Sequence, residues 1–346
     1  MTELNSSVEE QFEASNCGLL SSNDVRTTYI SGATFTNKPV TYSVVDGLAV
    51  FEGCIVLGTV EEAEAIAQRV RDAEADNGDI AYGVVISGDQ YRWPNALVPY
   101  DIDPALPNQS RVTDAIAHWV AKTNLRFVLR TSSNASSYPN YVHFRPATGC
   151  WSYVGMQGGK QDIGLANGCS TGNTIHEIGH AIGLWHEQSR EDRDSFVTIR
   201  YENIQDGRES NFNQHISDGD DIGAYDYGSI MHYGKYAFSK NGLPTIEPKQ
   251  SGVTIGQRTG LSVGDIAAAH SIYTTWYNNR RVYQTFASTG RENAWANIEG
   301  LGWRKIAPES RDGVTNMFVA FCEAVANNKR VNAYANGSTV GIMYLV

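Results

Sequence analysis

The run His176-Glu177-Ile178-Gly179-His180-Ala181-Ile182-Gly183-Leu184-Trp185-His186 gathers four groups able to do metal chemistry. On a helix, positions four apart sit about 40° and one turn apart, so His176 and His180 share a face and can share an ion. Gly183 can adopt the left-handed conformation that ends a helix, letting the chain turn back and bring His186 to the same centre. Three neutral imidazoles suit one Zn²⁺ per chain and leave a position open for water, as in a catalytic site and not a closed structural one. Glu177 follows the first ligand and can accept that water's proton as general base, while the ion polarises a carbonyl. This chemistry suits peptide hydrolysis. A chance match on an amphipathic helix is the plainer reading of the five-residue core. The glycine and third histidine argue against it, in a chain with only 8 histidines.

The elements that must position these residues follow from periodicity. A helix is expected from Thr174 to Leu184 and an amphipathic one from Arg111 to Thr123, carrying Val112, Ile116, Trp119 and Val120. Strands are expected at Leu97–Ile102, Arg126–Leu129 and Tyr141–Phe144. Strands followed by a long helix indicate an α+β lobe. After Leu184 the chain is polar and aromatic with little periodicity until a helix from Val263 to Tyr273, which reads as a second lobe. Residues 1–82 hold short apolar stretches and a helix from Val60 to Ala75, closing on a polar turn at Asp76-Asn77-Gly78-Asp79. From Arg281 onward two apolar blocks, Val282–Phe286 and Met317–Phe321, with a turn at Asn336-Gly337, read as a small all-β module.

A chain of 346 residues exceeds what one core usually supports. Its 38 acidic and 27 basic residues give a formal charge of −11, which disfavours nucleic acid and anionic lipid as partners. No apolar run approaches the roughly 20 residues of a membrane span. The N-terminus lacks the basic and apolar regions of a signal peptide, so none is read here. The 5 cysteines, at positions 17, 54, 150, 169 and 322, are odd in number, so at least one lies outside any internal disulfide.

Downstream of the histidines lies Ser229-Ile230-Met231-His232-Tyr233. Together with Glu187 and the run Gln188-Ser189-Arg190-Glu191-Asp192-Arg193-Asp194, the extended motif and this methionine turn resemble the astacin family of zinc endopeptidases, a metzincin group. The resemblance runs from about Gly83 to Tyr273. It implies a two-lobed catalytic domain with a zinc helix, Met231 as a hydrophobic floor beneath the histidines, and Tyr233 as a phenol that stabilises the oxyanion. His232 is then structural. Cys150 and Cys169 resemble a disulfide pair bracketing a loop on the cleft wall, with Trp151 and Tyr153 lining it towards substrate. Such a bond would contribute about 3 kcal/mol and implies an oxidising, extracellular location. Glu187 resembles the glutamate that receives the new N-terminal ammonium after activation, and Arg258 falls near the pocket for the residue after the cut. The family's second disulfide has no partners here. Cys17 and Cys322 lie outside the catalytic domain and read as free thiols.

Propeptides of this family carry Phe, any residue, Gly and Asp, whose aspartate takes the water's place on zinc. Here the segment is Phe51-Glu52-Gly53-Cys54. The cysteine departs from the pattern, but thiolate is a stronger zinc ligand than carboxylate. Cys54 is therefore expected on zinc in the latent form only. The organisation expected is a propeptide with an inhibitory latch over 1–83, the catalytic domain over 84–278 and a β module over 279–346. Partners would be protein or peptide substrates and an activating protease, or self-cleavage, cutting between Cys54 and Arg92 near Gly83 to Val85. The competing reading is a catalytically weak, zinc-bound adhesin, or a protein targeted to carbohydrate by aromatics of its last module, Tyr283, Phe286, Trp295 and Trp303.

Overall fold

The computed structural model describes residues 18–31, 36–75, 84–85, 91–215, 221–273, 275–288, 294–306, 311–336 and 339–346. The chain divides into two compact units, Met1–Ile272 and Tyr273–Val346.

The first unit opens with an antiparallel meander of β1 (Val25–Ser31), β2 (Lys38–Val45), β3 (Leu48–Phe51) and β4 (Ile55–Thr59), followed by helix α1 (Val60–Ala75). Asp46 and Gly47 both have positive φ, which matches the two-residue turn that twists with its strands. On α1, Ala63, Ala67 and Val70 are buried at helical spacing. Then come β5 (Val84–Val85), β6 (Leu97–Ile102), helix α2 (Ser110–Lys122), β7 (Arg126–Leu129), β8 (Tyr141–Pro146), β9 (Cys150–Ser152), β10 (Lys160–Leu165) and helix α3 (Thr171–Ala181). All the strands named so far form one ten-stranded sheet in the order β5-β1-β2-β3-β4-β9-β10-β8-β6-β7. The join is β4 beside β9, parallel, with Ile55 opposite Ser152, so the N-terminal segment extends the sheet past β9.

Helix α3 begins three residues before the expected Thr174. Ser170 caps it: its hydroxyl accepts from the Asn173 amide, and the Asn173 side chain accepts from the Ser170 amide. Two buried indoles then clamp its backbone, Trp119 donating to the carbonyl of Ile175 and Trp93 to that of Ala181. The second bond satisfies a helix-end carbonyl that would otherwise lack a partner.

Beyond α3 the described chain runs in short 3₁₀ turns and one two-stranded ribbon, β11 (Val197–Ile199) with β12 (Ile246–Pro248), before helix α4 (Val263–Ile272). Its core is aromatic, built on Phe212, Tyr225, Tyr233 and Phe238. This is the sparsely periodic second lobe.

The second unit is a closed barrel, β13-β14-β15-β17-β16, of β13 (Thr275–Ala287), β14 (Ala294–Ile298), β15 (Gly302–Ile306), β16 (Arg330–Asn336) and β17 (Thr339–Leu345). It is not all-β, because Met317–Phe321 lies in helix α5 (Arg311–Ala326). Val314, Phe321 and Ala324 are buried, with Met317 and Phe318 packed beside them. That spacing of three and four is a helical stripe, which an apolar run of five residues conceals. The boundary expected at 278/279 falls inside β13, a continuous strand. Tyr283, Phe286 and Trp303 are exposed and Trp295 is half-buried. Cys322 lies near Thr285, Sγ to Oγ1 3.3 Å. Cys17, Gly337 and residues 76–83 and 86–90 lie outside the described residues.

Candidate metal centre and cleft

The N-terminal segment meets the histidines at the β3–β4 turn. Glu52 and Gly53 both have positive φ there, and a Cβ on Gly53 would come within 2.6 Å of the Phe238 ring. Only glycine fits so tight an approach. The turn presents Cys54, whose Sγ lies 3.7, 3.4 and 3.2 Å from Nε2 of His176, His180 and His186. The four ligand atoms lie within 4.8 Å of one another, and all four residues are buried. Zinc bonds of about 2.0 Å to nitrogen and 2.3 Å to sulfur at tetrahedral angles imply N···S separations of about 3.5 Å. The donor set thus fits a four-coordinate ion of zinc's dimensions.

Each imidazole is oriented from behind. Nδ1 of His176 donates to the carbonyl of Ile230 at 2.8 Å, and that of His180 to the carbonyl of Leu184 at 2.8 Å. Nδ1 of His186 donates to Oε2 of Glu52 at 2.7 Å. Carbonyls and carboxylates only accept, so the ring proton sits on Nδ1 and the lone pair of Nε2 faces the centre. With no cation present, burial pushes the Cys54 thiol well up and His176 and His180 well down. A bound cation reverses the thiol's preference.

Gly183 has φ +106°, the turn that returns the chain to His186. A Cβ on Gly179 would meet the Met231 sulfur at 2.6 Å, so this glycine is what lets Met231 pack against the backbone of α3 beside His180. The methionine turn is itself held by Asp265 on α4, which accepts from the Ser229 hydroxyl at 2.6 Å and the Ile230 amide at 2.9 Å.

Glu177 is buried with its Oε2 lacking a hydrogen-bond partner, and burial pushes its carboxyl well up. Tyr233, buried 4.6 Å from the His186 ring centroid to centroid, donates its hydroxyl to the carbonyl of Glu52 at 2.6 Å. His232 pairs with the Tyr225 hydroxyl and is buried. Oε1 of Glu187 accepts from the Asp226 amide at 2.7 Å, beside a small cavity of about 40 Å³ lined also by Trp185, Met231 and Asp265. Arg258 donates to the carbonyl of His232 at 3.1 Å. Its charge is felt by Cys54, Glu177 and Tyr233.

Cys150 and Cys169 form a disulfide, Cα atoms 6.0 Å apart. Trp151 is buried in a cluster with Leu20, Val50, Cys54 and Val56, and Tyr153 packs against that cluster. Trp151 is therefore covered by the N-terminal segment. Leu19 packs on the opposite, aromatic lobe.

Glu52, His215 and Asp265 have no role in the reading of the sequence, and the folded chain gives them one. Glu52 is fully buried, its carboxylate accepting also from His215 Nε2 at 2.7 Å and the Ser189 hydroxyl at 3.1 Å. Burial alone would raise its carboxyl, but His215 and His186 hold it down at about 2. Asp265 carried a signal, since Ser262 three residues earlier has capping-box spacing. Glu52 carried none beyond the neighbourhood of Cys54, and His215 carried none.

A helix bearing the His-Glu-x-x-His core, a third histidine after a glycine turn and a methionine packed on that helix match the pattern of the metzincin class. Residues 85–274, more than half of the chain, match the model of the astacin peptidase family, and the chain belongs to that family. It is 45% identical over 192 residues to Blastula protease 10 of Paracentrotus lividus, covering 53% of this chain and 32% of that one. It is 42% identical over 191 residues to Zinc metalloproteinase nas-15 of Caenorhabditis elegans, covering 52% and 32%. The match spans about a third of the length of these relatives. Among solved structures, High choriolytic enzyme 1 of Oryzias latipes, a hatching enzyme zinc-protease, is 37% identical over 53% of this chain and 92% of that one, with a TM-score of 0.48.

Proposed function

We propose that the protein is a secreted zinc endopeptidase held latent by its own residues 1–83. The observation that carries this reading is Cys54 Sγ at 3.2 to 3.7 Å from three histidine nitrogens, so that with zinc bound its thiolate would hold the position that water needs. Zinc, when bound, would polarise the scissile carbonyl and acidify a water. Glu177, buried and with an oxygen free to take a proton, is the general base and passes that proton to the leaving nitrogen. Tyr233 turns its hydroxyl to the oxyanion once Glu52 leaves. Strand β4 lies along the edge of β9 that an extended substrate would pair with. Trp151 and Tyr153 then line the uncovered wall, and Arg258 favours an acidic side chain after the cut.

Cleavage near Gly83 to Val85 would release the latch and create an ammonium for Glu187. The cavity beside Glu187, lined by Asp226 and Asp265 as well, supports this destination. The disulfide supports an oxidising compartment, and among the described residues no helix is long and apolar enough to cross a membrane.

The test is hydrolysis of unfolded casein by the processed wild type and by Glu177→Ala, with bound zinc measured in both. Activity should disappear while zinc stays, because the carboxylate moves a proton and does not hold the metal. A Glu177→Ala enzyme that still cuts casein would sink the reading.

A further inference from the structure

The Glu52 carboxylate is out of place unless it does something. A fully buried carboxylate is costly unless paired and hydrogen-bonded, and it sits in a turn whose proposed task, delivering Cys54, needs no acid at that position. Its oxygens divide between two imidazoles: Oε2 takes the Nδ1 proton of His186 at 2.7 Å, and Oε1 takes that of His215 Nε2 at 2.7 Å and the Ser189 hydroxyl at 3.1 Å. His215 is fixed in turn, its amide donating to the carbonyl of Ser189 at 2.7 Å and its ring lying 4.8 Å from that of Trp185. The other two ligands, His176 and His180, are oriented by main-chain carbonyls of residues 230 and 184, within the catalytic part of the chain. Only His186 takes its orienting acceptor from the N-terminal segment.

We infer that Glu52 is a positioning residue of the metal centre, a carboxylate that orients the third histidine only while the N-terminal segment is docked. One turn then contributes both an inner ligand, Cys54, and the outer acceptor of a second ligand, Glu52. The unprocessed chain holds its metal more tightly than the processed one for two separable reasons. A carboxylate behind a ligating imidazole fixes its tautomer and raises its basicity, and removing such a partner typically weakens metal binding about 10–100-fold.

The inference rests on Cys54 and the histidines forming one metal centre, and the test keeps the two ideas apart. Zinc affinity is measured by competition with a chromophoric chelator in four full-length chains: wild type, Glu52→Gln, Cys54→Ala and the double variant. Cobalt-substituted forms report thiolate coordination through their charge-transfer band. Glu52→Gln should bind zinc about 10–100-fold more weakly in both Cys54 backgrounds, with the thiolate band retained when Cys54 is present. The double variant should fall to the affinity of the processed enzyme. Indistinguishable affinities with and without Glu52 overturn the inference. So does a weakening that vanishes in the Cys54→Ala background together with loss of the thiolate band, because Glu52 would then act only by docking Cys54. If Cys54→Ala costs nothing while Glu52→Gln still weakens zinc, the latch falls and the role of Glu52 stands. Glu52→Asp, which keeps the charge but falls short of Nδ1, is read the same way if the glutamine chain does not fold.

Discussion

The hydroxyl of Tyr233 donates to the main-chain carbonyl of Glu52 at 2.6 Å. On the proposed reading the phenol is thus occupied by the N-terminal segment, and its hydrogen bond would be free for substrate only after that segment leaves. In the processed enzyme Tyr233→Phe should lower kcat by about 100-fold or more, the usual cost of losing an oxyanion donor, with KM little changed because the donor acts on the transition state. Steady-state kinetics on a peptide substrate separate the two. A raised KM at constant kcat would mean the hydroxyl binds substrate in its ground state.

The same turn should decide latency. Full-length Cys54→Ala is expected to hydrolyse a small fluorogenic peptide, or to process itself, without a second protease, while the full-length wild type does neither. If the two chains are equally silent before any cleavage, the block resides in the pairing of β4 with β9 and not in the sulfur.

How far the site was legible depends on the distance over which each constraint acts. The convergence of the three histidines was readable because His176 and His180 are set by helical spacing and His186 by one glycine turn. The approach of Cys54 to them was readable through its Phe-x-Gly neighbours. Glu52 and Asp265 act across 134 and 35 residues, and their partners are visible only in the folded chain. Local pattern also misplaced the start of α3, since Gly172 in its first turn lowers helix propensity. Likewise Met317–Phe321, five apolar residues in a row, shows its helical period only once Val314 and Ala324 are seen on the same buried face.

Gly172 itself gives a stability test in which two effects compete. In a helix, Gly→Ala should gain up to about 1 kcal/mol. Here the added Cβ would sit 1.8 Å from the carbonyl oxygen of Arg258, and a main-chain atom cannot rotate aside. Overpacking of this kind costs about 1–3 kcal/mol or more, so the clash should win and Gly172→Ala should lower the melting temperature of the full-length chain. A higher melting temperature would show that the segment carrying Arg258 yields freely.

Glu187 should make the pH dependence differ before and after the proposed processing. Burial pushes its carboxyl up to about 7 from the ordinary 4.5. The unfolded chain thus loses this proton near 4.5 and the folded chain only near 7. Between those values the unfolded state is already ionised while the folded state still holds the proton, so stability falls as pH rises through the window and levels off above it. The shift corresponds to roughly 3 kcal/mol. Glu187→Gln removes the group, so unfolding in urea at about pH 4 and about pH 8, on either side of that window, should show the full-length wild type losing more stability than the glutamine chain. In the processed protein an ammonium beside Glu187 would favour the ionised carboxylate and draw its titration back down. The difference between wild type and Glu187→Gln should then shrink or change sign. Identical pH responses of the two full-length chains would show that the carboxyl is not held up by burial. An unchanged difference after processing would mean that the new N-terminus does not reach Glu187.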